Sequence, residues 1–215
     1  MIDTILFDFD GTLMDTTEII VASWQHTFRT IDGAERPRDE ILATFGEVLT
    51  DTVKRNWPDM DVDEVVEIYR SYQRDKFIDA ISLFPGMREL LDELYNSGYA
   101  MGIVTARTRY SVVAAMDSYD ISKYFGSLVT CDDTNEHKPS PVPAQMVLEE
   151  LRKSADNAVI VGDSRYDILC GKNAGIRSVL VGWNSHTDPA SVMEDVKPDK
   201  YIEKPSQLME VLKEM

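Results

Sequence analysis

The chain has 215 residues, which is enough for one or two domains with a full hydrophobic core. Its 22 basic and 38 acidic residues give a formal net charge of −16, which argues against nucleic acid or an anionic membrane as a partner, because both need clustered lysine and arginine. We expect no signal peptide or membrane span, and the two cysteines, Cys131 and Cys170, form no ligand pattern, so a cytoplasmic protein with reduced thiols is predicted.

Five short apolar runs, separated by stretches of helical character, predict β-strands. They are Thr4 to Phe9, Ala100 to Thr105, Ser127 to Cys131, Ala158 to Val161 and Ser178 to Val181. Strands that alternate with helices predict an α/β fold, in which a parallel sheet is covered on both faces. Polar side chains follow four of the five runs, and ligands of such sheets bind at the carboxyl ends of the strands. The sequence therefore predicts a functional site at that edge.

Two carboxylates, Asp8 and Asp10, follow the first predicted strand. Residues two apart in an extended segment point the same way, and Gly11 permits a sharp turn next to them. Carboxylates held together repel each other unless a cation lies between them. The pair therefore suits a hard divalent metal, a carboxylate nucleophile or an acid/base pair, with a solvated Asp-Gly turn as the structural alternative.

The first and second predicted strands are separated by about ninety residues, far more than one crossover helix needs. Ile20, Trp24, Phe28 and Ile31 recur at helical spacing, and a looser stripe follows at Val65, Tyr69, Tyr72 and Phe77. We interpret both stripes as core positions of an inserted helical domain, residues 15–83. The sheet domain then comprises residues 1–14 and 84–215, and the insert covers the functional edge as a lid.

The second predicted strand ends in Thr105-Ala106-Arg107. A hydroxyl followed by backbone amides at a helix start makes an anion site, although an ordinary helix cap fits the same residues. Further on, Lys138 lies in a loop stiffened by prolines, which can aim its ammonium at a phosphate. A solvated surface lysine is the alternative.

A third acidic segment follows the fourth predicted strand, in the run Gly162 to Asp167. Asp163 is placed to be an oxygen ligand for Mg²⁺, and Asp167, one helical turn later, to ligate the metal or orient its waters. Gly162 leaves room for a close neighbour. Asp163 also fits the N-cap position of a helix.

These four segments together resemble the haloacid dehalogenase superfamily of aspartate-nucleophile hydrolases. The matching segments are Asp8 to Thr12, Thr105, Lys138-Pro139, Gly162 to Asp167, and the continuation Gly171 to Ile176. The insert resembles the helical cap of the subgroup that holds phosphoglycolate phosphatases, pyrophosphatases and β-phosphoglucomutases. The resemblance implies a Rossmann-like parallel sheet core with a helical cap domain inserted after the first strand.

The resemblance also implies roles for the acidic residues. Asp8 would attack phosphorus and form an aspartyl-phosphate, while Asp10 would protonate the leaving oxygen and then activate water. Mg²⁺ would be held by Asp8, the backbone carbonyl of Asp10 and Asp163, with Asp167 supporting it as a ligand or from the second coordination layer. Positioning and charge neutralisation would then supply most of the catalysis, as phosphoryl transfer requires.

The same resemblance assigns the substrate contacts. Thr105 and Lys138 would bind the phosphoryl oxygens, with Ala106 beside them. Arg107 stands where relatives often carry lysine and is placed to contact the leaving group. Gly46 lies in a break between helical stretches that resembles the cap loop facing the site, although a plain helix-helix turn fits it equally.

The expected activity is Mg²⁺-dependent hydrolysis of a small phosphorylated metabolite, with 2-phosphoglycolate first and pyrophosphate second. A phosphomutase uses the same motifs and remains an alternative. Dehalogenases and phosphonate-cleaving relatives lack an acid at the position of Asp10, so Lys54 of the insert is better interpreted as an exposed lysine than as a Schiff-base former. The non-enzyme alternatives are a receiver-like module that accepts a phosphoryl group and a binding protein with a dead site.

Overall fold

A parallel sheet forms the centre of the structure, a computed structural model that describes residues 1–184 and 187–215. Within these residues the sheet has six strands: β1 (Thr4–Phe7), β4 (Ala100–Val104), β5 (Ser127–Val129), β6 (Ala158–Gly162), β7 (Arg177–Val181) and β8 (Lys200–Ile202). Their spatial order is β5-β4-β1-β6-β7-β8, and each neighbouring pair is parallel. The predicted α/β fold is confirmed. The edge strand β8 was not predicted, because three residues of mixed polarity give no pattern.

Helices cover the sheet and form a separate layer above its carboxyl edge. They are α1 (Thr17–Asp32), α2 (Arg38–Leu42), α3 (Leu49–Asn56), α4 (Val62–Gln73), α5 (Met87–Asn96), α6 (Arg109–Ser118), α7 (Val142–Leu151), α8 (Arg165–Asn173), α9 (Pro189–Val196) and α10 (Leu208–Glu214). Successive side chains of β1 point to opposite faces of the sheet. Ile5 and Phe7 belong to one apolar cluster, and Leu6 belongs to the other. In the described part of the chain, none of the helices is both long enough and apolar enough to cross a membrane.

The first four helices form what we call the helical insert, residues 17–80. A short antiparallel ribbon joins it to the sheet, in which β2 (Met14–Asp15) pairs with β3 (Ser82–Leu83). The insert has an apolar cluster of its own, built on Trp24, Phe28 and Val65 among others. The division into domains at residues 15 and 83 stays a prediction, and the ribbon and the separate cluster support it.

Helix α8 approaches strand β6 unusually closely at Gly171. A Cβ atom added at this position would lie 2.4 Å from Cγ2 of Ile160. Asp167 lies four residues earlier in α8, so it shares the face of the helix that turns to the sheet. The spacing between α8 and β6 therefore also determines where the carboxylate of Asp167 is placed.

We expect Gly171→Ala to destabilise the protein by about 1–2 kcal/mol, because overpacking in the core outweighs the higher helix propensity of alanine. Urea unfolding of the wild type and the variant measures the difference. The matched control is a double-mutant cycle with Ile160→Ala, which removes the clashing methyl group. If Gly171→Ala costs as much free energy in that background, the close contact with Ile160 is not the cause.

Candidate active site

Three neighbouring strands of the sheet each deliver a polar side chain to the same edge. Asp8 directly follows β1, Thr105 follows β4 and Asp163 follows β6. Because β1 lies between β4 and β6 and pairs with both in register, these side chains are brought together. All three are buried, with at most 6% of each residue exposed.

The acidic cluster at this edge consists of Asp8, Asp163 and Asp167, which each place a carboxylate oxygen within 4.8 Å of the others. Lys138 enters the cluster from its loop. Its Nζ donates to Oδ1 of Asp8 at 2.6 Å and to Oδ1 of Asp167 at 2.5 Å. Lys138 is therefore a buried partner of carboxylates and not the solvated surface lysine of the alternative reading.

The carboxylate of Asp163 is oriented by residues that the sequence analysis missed. Its Oδ1 accepts from Thr12 Oγ1 at 3.3 Å, and its Oδ2 accepts from Asn184 Nδ2 at 3.0 Å and Thr187 Oγ1 at 3.1 Å. Asn184 also donates to the backbone oxygen of Gly11. The sequence signal that could have identified Asn184 is its position, because it follows β7 at the carboxyl edge as the other site residues follow their strands.

Asp167 is fixed by the first turn of α8. Its Oδ2 accepts from the backbone nitrogen of Ser164 at 3.1 Å and from Ser164 Oγ at 2.6 Å, so Ser164 is the N-cap of this helix. The N-cap alternative for Asp163 therefore does not apply. Gly162 leaves room for Asp167 as predicted, since a Cβ atom there would lie 2.3 Å from Asp167 Cβ.

Burial and crowding perturb the charges of the cluster. Burial is the main cause that raises the pKa of Asp8 well above its usual range, and Asp167 and Asp163 add to it, while Lys138 acts against it. Burial alone would lower the pKa of Lys138, but Asp167 and Asp8 prevail and raise it, so the ammonium keeps its charge.

The cluster fits a hard divalent cation. Among the residues that the structure describes, three buried carboxylates and the ammonium of Lys138 meet in a region shielded from water, and carboxylates this close repel one another. Carboxylate oxygens are the ligands that Mg²⁺ prefers. Asp8, Asp163 and Asp167 can supply them, whereas the carboxylate of Asp10 lies outside this cluster. A metal contact of Asp10 would thus have to come from its backbone carbonyl, as the resemblance implies.

The carboxylate of Asp10 is paired with Arg107. Nε of Arg107 lies 3.0 Å from Oδ1 and 2.9 Å from Oδ2 of Asp10, and Nη2 lies 2.9 Å from Oδ1. The guanidinium is buried, lies over the ring of Phe77 at 4.3 Å from its centroid, and donates through Nη1 to Gln73 Oε1 at 3.4 Å. Arg107 therefore connects the helical insert to the carboxylate expected to act as acid and base.

The sequence predicts a helix that starts directly after β4, and the structure has a loop there instead. Helix α6 begins only at Arg109, so Ala106 and Arg107 precede it and the first-turn amides of a helix do not lie beside Thr105. Instead, the backbone nitrogen of Arg107 donates to Thr105 Oγ1 at 3.2 Å. Thr105 and Ala106 nevertheless line the same cavity as Asp8 and Lys138.

This cavity, of about 720 Å³, lies between the sheet edge and the helical insert. Gly46 lines it from the turn between α2 and α3, at a φ of +87°. A Cβ atom at Gly46 would lie 2.7 Å from Tyr166 Cδ2, and the hydroxyl of Tyr166 donates to Glu47 Oε1 at 3.2 Å. The turn thus packs directly on the sheet domain. Lys54 is exposed on α3 and is not among the described residues that line the cavity.

Asp8→Asn is expected to stabilise the metal-free protein. The amide oxygen can still accept from Lys138, and one of three crowded carboxylates is removed. Because the pKa of Asp8 is raised in the folded state above its ordinary value of 3.8, ionised Asp8 lowers stability increasingly as pH rises from that value towards the folded-state pKa. The advantage of the variant in free energy of unfolding should therefore be small near pH 4 and grow as pH rises towards the folded-state pKa.

Urea unfolding in excess chelator between about pH 4 and pH 8 measures this difference in free energy of unfolding. Asp132→Asn, which changes an exposed carboxylate outside the cluster, is the control and should show no such growth. An advantage of Asp8→Asn that shrinks as pH rises would contradict the assignment of charge crowding to Asp8.

Comparisons with known proteins agree with this geometry. The model of the haloacid dehalogenase-like hydrolase family matches residues 5–181. Pyrophosphatase PpaX of Bacillus anthracis is 33% identical over 214 residues, covering 100% of this chain and 98% of that protein. A haloacid dehalogenase-like family hydrolase from Streptococcus pneumoniae has a TM-score of 0.84 at 25% identity, covering 98% of both chains.

A structure from Haemophilus somnus, described as that of a predicted phosphoglycolate phosphatase, has a TM-score of 0.81 at 21% identity and covers 98% of this chain and 97% of its own. At that identity the likeness concerns the fold alone. The family model and the full-length relative go further, because the family match spans the acidic cluster and the relative is one-third identical over the whole chain. The chain belongs to the haloacid dehalogenase-like hydrolases.

Proposed function

We propose that this hydrolase is a Mg²⁺-dependent phosphatase that acts on small phosphorylated metabolites through an aspartyl-phosphate intermediate. The observation that carries the proposal is the buried cluster of Asp8, Asp163 and Asp167 around Lys138 at the floor of the cavity. When bound there, Mg²⁺ would supply positive charge that balances the carboxylates and the phosphoryl oxygens. Its ligands would be Asp8, Asp163 and the backbone carbonyl of Asp10, with Asp167 beside them.

In the first half-reaction a carboxylate oxygen of Asp8 attacks phosphorus and the bond to the leaving oxygen breaks. The leaving oxygen takes a proton from Asp10, so an alcohol or phosphate departs. Lys138 and Thr105 hold the phosphoryl oxygens during this transfer, because an ammonium and a hydroxyl are both donors to a developing negative charge.

In the second half-reaction Asp10 removes a proton from water, which attacks the phosphorus of the aspartyl-phosphate. The bond to the oxygen of Asp8 breaks, phosphate leaves, and both carboxyl groups return to their starting states. That Asp10 lies two residues after Asp8 and lines the same cavity supports its assignment as an acid/base close to the nucleophile. A receiver-like module needs neither this acid/base nor an insert over the site. The presence of both in this chain favours an enzyme that turns over its substrate.

Pyrophosphate is the substrate we infer first. Relatives about one-third identical over the whole chain are named pyrophosphatases, which moves pyrophosphate ahead of the 2-phosphoglycolate favoured by the sequence. The insert over the cavity favours a small ligand over a phosphoprotein or nucleic acid, and the charge of −16 adds repulsion of polyanions. We also infer a cytoplasmic location, which agrees with both cysteines being free thiols.

The test is kcat/KM across pyrophosphate, 2-phosphoglycolate, a sugar phosphate, p-nitrophenyl phosphate and a phosphopeptide, each with Mg²⁺ and after metal removal. We expect pyrophosphate or 2-phosphoglycolate to lead and excess chelator to abolish turnover. Asp8→Asn should lose nearly all activity, because an amide is a poor nucleophile. Full activity in chelator would refute the metal requirement, and a lead of about tenfold for the phosphopeptide would refute the small substrate.

Asp10→Asn should slow both half-reactions, by about 10²–10⁴-fold for a substrate whose leaving group needs a proton. With p-nitrophenyl phosphate the leaving group needs little acid catalysis, so the aspartyl-phosphate should accumulate. Stopped-flow absorbance is then expected to show a burst of about one p-nitrophenol per enzyme, followed by slow turnover.

The control for this variant is Asp132→Asn, which changes another carboxylate lining the cavity. In the structure Asp132 Oδ2 accepts from the backbone nitrogen of Arg109 and lies outside the acidic cluster, so its turnover should stay near that of the wild type. Steady turnover of Asp10→Asn at the wild-type rate, without a burst, would remove Asp10 from the mechanism.

A further inference from the structure

The wall of the cavity formed by α4 carries an arginine with no part in the mechanism described above. Within the described residues, four arginine and lysine side chains line the cavity: Arg70, Arg74, Arg107 and Lys138. Arg70 and Arg74 are exposed on the insert, one helical turn apart, and Arg107 and Lys138 belong to the sheet domain. The cavity therefore has positive charge on the side opposite the acidic cluster.

Three of these four cations are already paired with carboxylates: Lys138 with Asp8 and Asp167, Arg107 with Asp10, and Arg74 with Glu67. Arg70 is different. Among the residues that the structure describes, its guanidinium has no ion pair and no side-chain hydrogen bond. It is the cavity cation whose donors are available to a ligand.

Arg70 also lies on the wall of the cavity that contacts the pair formed by Arg107 and Asp10. It is three residues before Gln73, so the two side chains share a face of α4, and Gln73 contacts Arg107. Arg70, Gln73 and Arg107 all line the cavity. Arg70 is thus connected, through one neighbour on its own helix, to the residue that pairs with Asp10.

Two carboxylates that line the cavity, those of Glu67 and Asp132, would repel an anion bound by Arg70 if they had no partners of their own. Glu67 is engaged by Arg74, whose Nη2 lies 2.5 Å from Glu67 Oε1. Asp132 accepts from the backbone nitrogen at the start of α6 at 2.7 Å. Both have a partner of their own, so the guanidinium of Arg70 is left to meet the ligand.

We propose that Arg70 binds a second anionic group of the substrate, beyond the phosphoryl group that reacts, and so selects substrates with two anionic groups. In pyrophosphate this group is the departing phosphate. Bidentate recognition of phosphate or carboxylate suits a guanidinium better than an ammonium. The inference rests on the proposed function, which places the reacting phosphoryl group between Asp8 and Lys138.

The kinetic test compares kcat/KM for pyrophosphate, which has a second anionic group, with kcat/KM for p-nitrophenyl phosphate, which has none. Arg70→Gln should lower the ratio of the two by about tenfold or more, the effect of losing one charge-assisted hydrogen bond. Arg70→Lys should restore part of the ratio. The matched control is the double variant Glu67→Gln/Arg74→Gln, which removes the other cavity arginine of the insert together with its partner, so that Glu67 is not released to pair with Arg70. It should keep the ratio within about twofold.

An unchanged ratio in Arg70→Gln, or an equal fall in Glu67→Gln/Arg74→Gln, would overturn the inference while leaving the proposed function intact. A wild type that hydrolyses neither compound would instead refute the proposed function. The inference is then tested by titration calorimetry on the Asp8→Asn background, with pyrophosphate and orthophosphate as ligands in the presence of Mg²⁺.

In that titration the Asp8→Asn protein should bind pyrophosphate more tightly than orthophosphate. Adding Arg70→Gln should remove at least about tenfold of that preference, whereas adding Glu67→Gln/Arg74→Gln should not. Equal affinity for the two ligands before Arg70 is changed, or a preference that survives Arg70→Gln, would show that Arg70 does not bind a second anionic group.

Discussion

The site depends on three buried carboxylates that lie close to the ammonium of Lys138. Asp8, Asp163 and Asp167 would repel one another in isolation, and Lys138 pairs with two of them, Asp8 and Asp167. The surrounding structure holds them in place: strand ends position two of them, the first turn of α8 positions the third, and Asn184 orients Asp163. Charge crowding of this kind is expected to lower the stability of the metal-free protein and would favour binding of a divalent cation.

The helical insert contacts the sheet domain on two sides of this cluster. On one side the turn at Gly46 packs on Tyr166, close to the helix that carries Asp167. On the other side Gln73 contacts Arg107, which pairs with Asp10. The position of the insert is therefore connected both to the side of the site proposed to hold the metal and to Asp10, the carboxylate proposed to transfer protons.

This arrangement divides recognition between the two parts of the molecule. The sheet edge holds the groups proposed to react with any phosphate, with Asp8, Thr105 and Lys138 lining the cavity. The insert supplies α4, whose Arg70 lines the same cavity and is proposed to bind a second anionic group. If the chemistry and the choice of substrate lie on these different elements, changes in the insert would alter specificity without disturbing the acidic cluster.

The sequence by itself determined five strands, the α/β fold and the residues at the strand ends, because apolar runs and the acids that follow them are local patterns. It located Asp8 and Asp163 for that reason. Only the tertiary structure decided the partners: Arg107 pairs with Asp10 across 97 positions of the chain, and Asn184 reaches Asp163 from a loop without a motif. Contacts between residues far apart in sequence depend on how strands and helices pack, and no local pattern encodes them.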